Sequence, residues 1–217
     1  AHNIANVNTT GYKKSRVEFQ DLIYQMLRRP VANDTTVQPS GLWVGLGVKP
    51  SATQTIFSQG NLTPTDNPLD VAIQGQAFFR VQSPTNEEYL YTRDGSFKLD
   101  SEGNLVTTDG YYVVGVDTID PEGYDVTIAP DGTVTYKMPG QDEPVEAGQI
   151  ELAKFTDPAG LEKIGGNLYR PTASSGEAID WDPEADTTVS LHAGYLEAAN
   201  IQIVEEMVNL ITAQRAY

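Results

Sequence analysis

Apolar positions change their spacing several times along the chain, and each change predicts a different kind of element. Residues 1–12, AHNIANVNTTGY, read as the end of a helix, since asparagine and Gly11 suit the left-handed terminal conformation. Most of that helix is expected to lie before Ala1. Phe19, Leu22, Ile23, Met26 and Leu27 then recur at the spacing of one helical face. Pro30 forbids continuation, so a short amphipathic helix is predicted over 17–28. From 30 to 69 prolines and glycines break any helix, and β-compatible runs at 42–48 and 51–57 suggest an extended arm or loose hairpin.

From Asp70 to Phe155 the pattern is β. Val71, Ile73, Phe78, Phe79 and Val81 are interrupted by Gly75, a candidate kink. Asp94-Gly95, Asp109-Gly110 and Asp131-Gly132 each separate apolar runs, which predicts hairpin turns, because glycine accepts positive φ and aspartate tolerates it. A mainly β body follows, a small antiparallel sandwich or barrel-like fold with an extended β arm and truncated, coiled-coil-like helical ends. A loop-rich stretch at 156–186 precedes a strand candidate at 188–197. Then Ile201, Val204, Val208 and Ile211 step by helical spacings, Met207 widens the stripe, and Asn200 can cap its start. Four regions result: 1–29, 30–69, the body 70–187, and 188–217 with the returning strand and the start of a C-terminal helix. Both ends read as cut inside helices, which are marginal in water without a partner.

Charge alters this picture. The chain has 217 residues and a formal net charge of −16, which argues against nucleic acid as a partner. Its distribution is uneven. Lys13, Lys14, Arg16, Arg28 and Arg29 outweigh Glu18 and Asp21 in residues 1–29, whereas 100–146 holds eleven acids against Lys137. A positive arm on a negative body suits head-to-tail contact between copies; solvated surface is the plainer alternative. No apolar run approaches the roughly 18 residues of a membrane helix, so no membrane insertion is expected.

Candidate chemistry is sparse. Without cysteine there are no disulfides, thiolate metal sites or thiol nucleophiles. No metalloprotease, nucleophile-elbow or phosphate-loop motif occurs, and Gly45-Leu46-Gly47 lacks the third glycine of a dinucleotide fingerprint. His2 stands apart from other ligands, and His192 reads as a structural histidine within a strand. Asp180, Asp182, Glu184 and Asp186 alternate like calcium ligands, but the central glycine and the terminal bidentate acid are missing, so a solvated loop is the better reading. No catalytic, cofactor or metal residue is assigned, and the chain is read as a non-enzyme. A carboxylate pair of the glycosidase kind is not decided by sequence, because pair separation is not written in it. Tyr89, Tyr91, Tyr111 and Tyr112 leave open a carbohydrate-binding face.

The two ends are the most specific part. AHNIANVNTTGYKKSRVEFQDLIYQ at 1–25 and GYLEAANIQIVEEMVNLITAQRAY at 194–217 closely resemble the terminal signatures of bacterial flagellar rod and hook proteins. DVAIQGQAFFRV at 70–81, YTRDGSFKLDSEGNLVTTDGYYVVG at 91–115 and LEKIGGNLY at 161–169 are similar to that family's body. FQDLIYQMLRRP at 19–30, QPSGLWVGLGVKP at 38–50 and SQGNLTPTDNPLDVAI at 58–73 bring the chain nearest to the distal-rod branch, with proximal rod and hook subunits as alternatives.

The resemblance implies a structural subunit of a helical homopolymer, the tubular drive shaft. It has no cofactor and is exported without a cleaved leader by the flagellar type III apparatus. Implied neighbours are proximal rod subunits, hook subunits and the P- and L-ring bushing in the periplasm-spanning basal body. Asn3, Asn6, Asn8, Gly11, Tyr12 and Lys13 carry the N-terminal signature. Subunit packing is expected at Ile4, Val7, Ile201, Val204, Met207, Val208 and Ile211. Arm contacts are expected at Phe19, Leu22, Ile23, Arg28, Arg29, Leu42, Trp43 and Val44. The bases of the first 29 residues are expected to meet acids of adjacent subunits.

Overall fold

The body is organised on the strand Phe78–Gln82, whose run FFRV is apolar on both faces. In the computed structural model, which describes residues 2–21, 25–26, 43–44 and 48–200, this strand pairs along one edge with Tyr89–Thr92. Its other edge pairs first with Leu152–Lys154 and then with Tyr112–Val113. Phe79 packs with Val71, Ile73, Phe97, Val134 and Leu191 in the main core. Phe78 packs on the opposite face with Tyr91, Phe155, Leu161 and Tyr169. Double coverage is why the segment reads as a continuous apolar run and not as an alternation. Edge-to-face ring pairs line both clusters, Phe79 with Phe97 at 4.9 Å and Tyr91 with Phe155 at 4.9 Å.

The sheet extends through Leu105–Val106 and Lys98–Leu99 on one side and through Leu168–Arg170 and Glu162–Gly165 on the other. A second, three-stranded meander comprises Tyr124–Ile128, Thr133–Lys137 and Val145–Gln149. Its outermost strand is irregular between Tyr124 and Thr127, where Asp125 has φ +50°. All these pairings are antiparallel. Among the described residues no sheet closes, so the fold is mainly β and antiparallel as expected, without the barrel. Two short ribbons complete the body: Ser190–Ala193 on Val71–Gln74, and Tyr195–Glu197 on Leu62–Pro64.

Two of the three Asp-Gly pairs are hairpin turns, with Val106 facing Tyr112 and Ile128 facing Val134. The third is not. The strands flanking Asp94-Gly95 pair with other partners, and Gly95 marks a close approach: an added Cβ would lie 1.6 Å from the Val71 carbonyl oxygen. A turn that sequence did not single out joins Lys98–Leu99 to Leu105–Val106, where Asp100 Oδ1 accepts the Glu102 and Asn104 amides.

The chain forms two compact units, one of residues 1–14 with 56–217, the other Ser15–Thr55. Within the second, Ser15–Asp21 is a strand paired with Val48–Thr55. This corrects the helix predicted over 17–28. Arg16, Glu18 and Gln20 alternate with Val17 and Phe19, and this period of two competed with the helical spacing that starts at Phe19. An antiparallel partner satisfies the backbone and decides the outcome. Gln25–Met26 pairs with Trp43–Val44, so the described parts of 43–55 are strands paired back to 15–26. Leu22, Ile23, Arg28, Arg29 and Leu42 lie outside the described residues.

The approach at Gly95 yields a stability test. Gly95→Ala is expected to cost about 1–3 kcal/mol or more through forced backbone displacement. Gly140→Ala meets no neighbour within 4 Å and is expected to lose only about 1 kcal/mol for its positive φ. Denaturant unfolding of the two variants checks the order.

Candidate functional site where the chain ends meet

The short helix His2–Ala5 passes through turns to Gly11, whose φ is +65°. A Cβ there would meet the Asp94 amide nitrogen at 2.8 Å and the Arg93 carbonyl at 2.9–3.0 Å. Both the turn and the close approach therefore demand glycine. This places the N-terminal segment on the 91–95 strand end, and the Gly11 amide donates to the Glu197 carbonyl oxygen at 2.8 Å. The first and last described segments thus lie side by side.

Asn200 fastens them further. Its side-chain oxygen accepts the Lys14 amide at 2.8 Å, and its nitrogen donates to the carbonyls of Ile56 and Ser58. The side chain expected to cap a helix is engaged by the N-terminal strand end; the seam residues Ile201, Val204, Met207, Val208 and Ile211 lie outside the described residues. Tyr12 is buried, its hydroxyl donating to Asn3 Oδ1 at 3.1 Å, and the Lys163 ammonium sits 4.2 Å from its ring centre. Asn167 of the 161–169 motif donates to the Thr10 carbonyl. Asn6 accepts from the Thr9 hydroxyl, Asn8 is exposed, and Ile4 and Val7 are half-buried.

At the centre is a buried ion cluster. The Glu197 carboxylate, its side chain 0% exposed, accepts from the Lys13 ammonium, the Gly60 amide at 2.9 Å and Arg93 Nε at 2.9 Å. Arg93 spends its remaining donors on the carbonyls of Gly75 and Ala77, both at 2.7 Å, on Ile73 at 3.1 Å and on Gln59 Oε1 at 3.4 Å. Two cations share one anion. Burial, opposed in part by the Glu197 charge, lowers the Lys13 ammonium from its ordinary 10.5 to about 8. Burial also lowers Arg93 and raises Tyr169. Among the described residues the Tyr169 hydroxyl has no hydrogen-bond partner.

Lys13 was expected on the surface, facing a neighbouring subunit; it is buried against its own chain's C-terminal strand. Arg93 and Glu197 were not singled out by sequence reasoning, although each is a charge inside a strand pattern, in YTRDG and in YLEAA. Elsewhere among the described residues the other candidate groups are engaged locally. Asp180 pairs with Arg80 at 2.6 Å, Asp186 with Lys154 at 2.6 Å, and Asp182 caps its own turn through the Glu184 amide. Lys154 also holds the Asp186 carboxyl down at about 2. Among the described residues no three potential metal ligands converge. A groove of about 350 Å³ runs past Arg80, Glu151, Asp180 and Trp181, but Glu151 and Asp180 already meet the Arg80 charge. His192 bonds Gln74 at 2.8 Å on the ribbon surface. Tyr91 is buried against Phe155 while Tyr89 is half-exposed, so the four tyrosines do not form one binding face.

Fold and junction together define a β body on which the first and last described segments meet at one place. Residues 72–136 match the family described as flagellar hook protein FlgE/F/G D1 domain, and residues 192–217 match the flagellar basal body rod FlgEFG protein C-terminal family. Over its full length the chain is 46% identical to the flagellar basal-body rod protein FlgG of Buchnera aphidicola subsp. Schizaphis graminum, covering 84% of it. It is 47% identical to that of Borreliella burgdorferi and 37% identical to that of Bacillus subtilis, again over the full chain and 83% of each relative. The chain belongs to the FlgG family of flagellar basal-body rod proteins.

Two predictions follow from the ion cluster. Glu197→Ala leaves two buried cations unpaired and is expected to cost about 3–5 kcal/mol, whereas Tyr169→Phe removes an orphan hydroxyl and is expected to be neutral or stabilising; thermal and denaturant unfolding measure both. Because folded Lys13 gives up its proton near pH 8 and the unfolded side chain near 10.5, the unfolded state binds more protons in between. Stability of the native protein should therefore rise with pH from 8 to 10 relative to Lys13→Met. Equal slopes for the two proteins would remove this assignment.

Proposed function

We propose that this chain is a structural subunit of the flagellar distal rod, polymerising into the rigid tube that transmits torque from motor to hook. The observation that carries the reading is identity with rod proteins over the whole chain, including both terminal segments and the body between them. The ends emerge together from the Lys13–Glu197–Arg93 cluster, the arrangement a paired lining needs. In this reading Ile4, Val7, Ile201, Val204, Met207, Val208 and Ile211 pack between neighbouring subunits along the inside of the tube. The arm, with Phe19, Leu22, Ile23, Arg28, Arg29, Leu42, Trp43 and Val44, contacts adjacent copies.

Contacts of this kind are head-to-tail and do not close, so they generate a filament and spread torque over many repeats. The acidic body faces outward, toward the P- and L-ring bushing, and its charge disfavours sticking during rotation. Proximal rod subunits lie below and hook subunits above, and the flagellar type III apparatus delivers the chain without a cleaved leader to the periplasm-spanning basal body. No helix among the described residues is long and apolar enough to cross a membrane. No reaction is assigned to the chain.

Electron microscopy of the purified full-length polypeptide is expected to show straight tubes at high concentration. Curved tubes would favour a hook subunit. A protein that stays monodisperse at every concentration, together with normal swimming of cells deleted for it, would overturn the reading.

A further inference from the structure

The ion cluster draws its charges from three separate stretches. Lys13 comes from the N-terminal segment, Glu197 from the C-terminal strand and Arg93 from the end of Tyr89–Thr92. Arg93 is fixed independently of both ends, because the carbonyls of Ile73, Gly75 and Ala77 hold its guanidinium inside the body. Glu197 and Lys13 are different: each is on a terminal segment, and each is buried with its charge directly against the other's. Should the C-terminal strand leave, Lys13 would face Arg93 with no carboxylate between them, two like charges in a site of low polarity. Should the N-terminal segment leave, Glu197 would lose its ammonium partner and its cover.

We propose that the Lys13–Glu197–Arg93 cluster is a coincidence lock, a conformational device that makes docking of each terminal segment on the body conditional on docking of the other. The remaining contacts reinforce this without creating it. The Gly11 amide reaches the Glu197 carbonyl, and Lys14 is joined to Asn200; these bonds add affinity, but water can replace them when a segment frays. A buried charge has no such substitute, and an unpaired one is expelled from the interior. The lock belongs to the single subunit and does not rest on the rod assignment.

Residue-resolved hydrogen exchange on the native chain and on Glu197→Gln and Lys13→Glu, which sets a second carboxylate against Glu197, tests it. Reporters at the N-terminal end are the Tyr12 amide, which donates to the Thr9 carbonyl within that segment, and Ile56, whose amide donates to the Lys14 carbonyl; Ala198, donating to Asn61, reports the other end. Each variant is expected to lower protection at both ends together by about a hundredfold, while Arg80 and Val81 in the central strand keep theirs. Tyr169→Phe, in the same pocket without a charge, is expected to change neither end. Loss of protection confined to the end that carries the substitution would overturn the proposal. Loss spread evenly through the body would overturn it equally, since the cluster would then be an ordinary part of the core.

Discussion

A carboxylate removed wholly from water is the constraint on which this subunit's geometry depends. The Glu197 side chain has no exposure, and its charge is met inside the protein by two cations and a backbone amide. That requirement fixes the position of the last strand relative to the first segment more sharply than apolar packing does, because apolar surfaces slide with little penalty and buried ions do not. The glycines nearby follow from the same constraint. Backbone must approach backbone at Gly11 for the ammonium of Lys13 to arrive where it does.

The body supplies what such a junction needs, a support that does not yield. Its central strand is clamped on both faces by separate aromatic clusters, and its neighbours change partner along its length. Arg93 connects the two levels. One face of its guanidinium chemistry goes to the carboxylate at the chain ends, and the rest goes to the backbone around the kink at Gly75. The carboxylate at the chain ends is thereby joined through one side chain to the backbone that borders the core of the sheet.

Much of the body was legible in the sequence because its signals are local. Val71 to Val81 read as strand, and Asp109-Gly110 and Asp131-Gly132 read as turns, since the residues that decide them are adjacent. Asp94-Gly95 carried the same local signal, yet its glycine answers to the carbonyl of Val71, more than twenty residues away. The segment after Ser15 failed for a related reason. Its strand exists through a partner at Val48–Thr55, and periodicity alone favoured the helix. The junction was legible as a signature and illegible as a mechanism: Gly11, Tyr12 and Lys13 stood out, but nothing in their spacing names Glu197 as the acceptor or Arg93 as the second cation. A charge within an apolar strand pattern is the one sequence cue that pointed there.

The outer strand of the acidic meander has a separate consequence. Its backbone takes a positive φ at Asp125, and its exposed residues are Tyr124, Asp125 and Thr127. A foreign sheet arriving edge-on would find donors and acceptors out of step with its own repeat, and carboxylates in the way. Pairing of copies through this strand is thereby disfavoured, and an ordered contact between them has to be dictated elsewhere on the molecule.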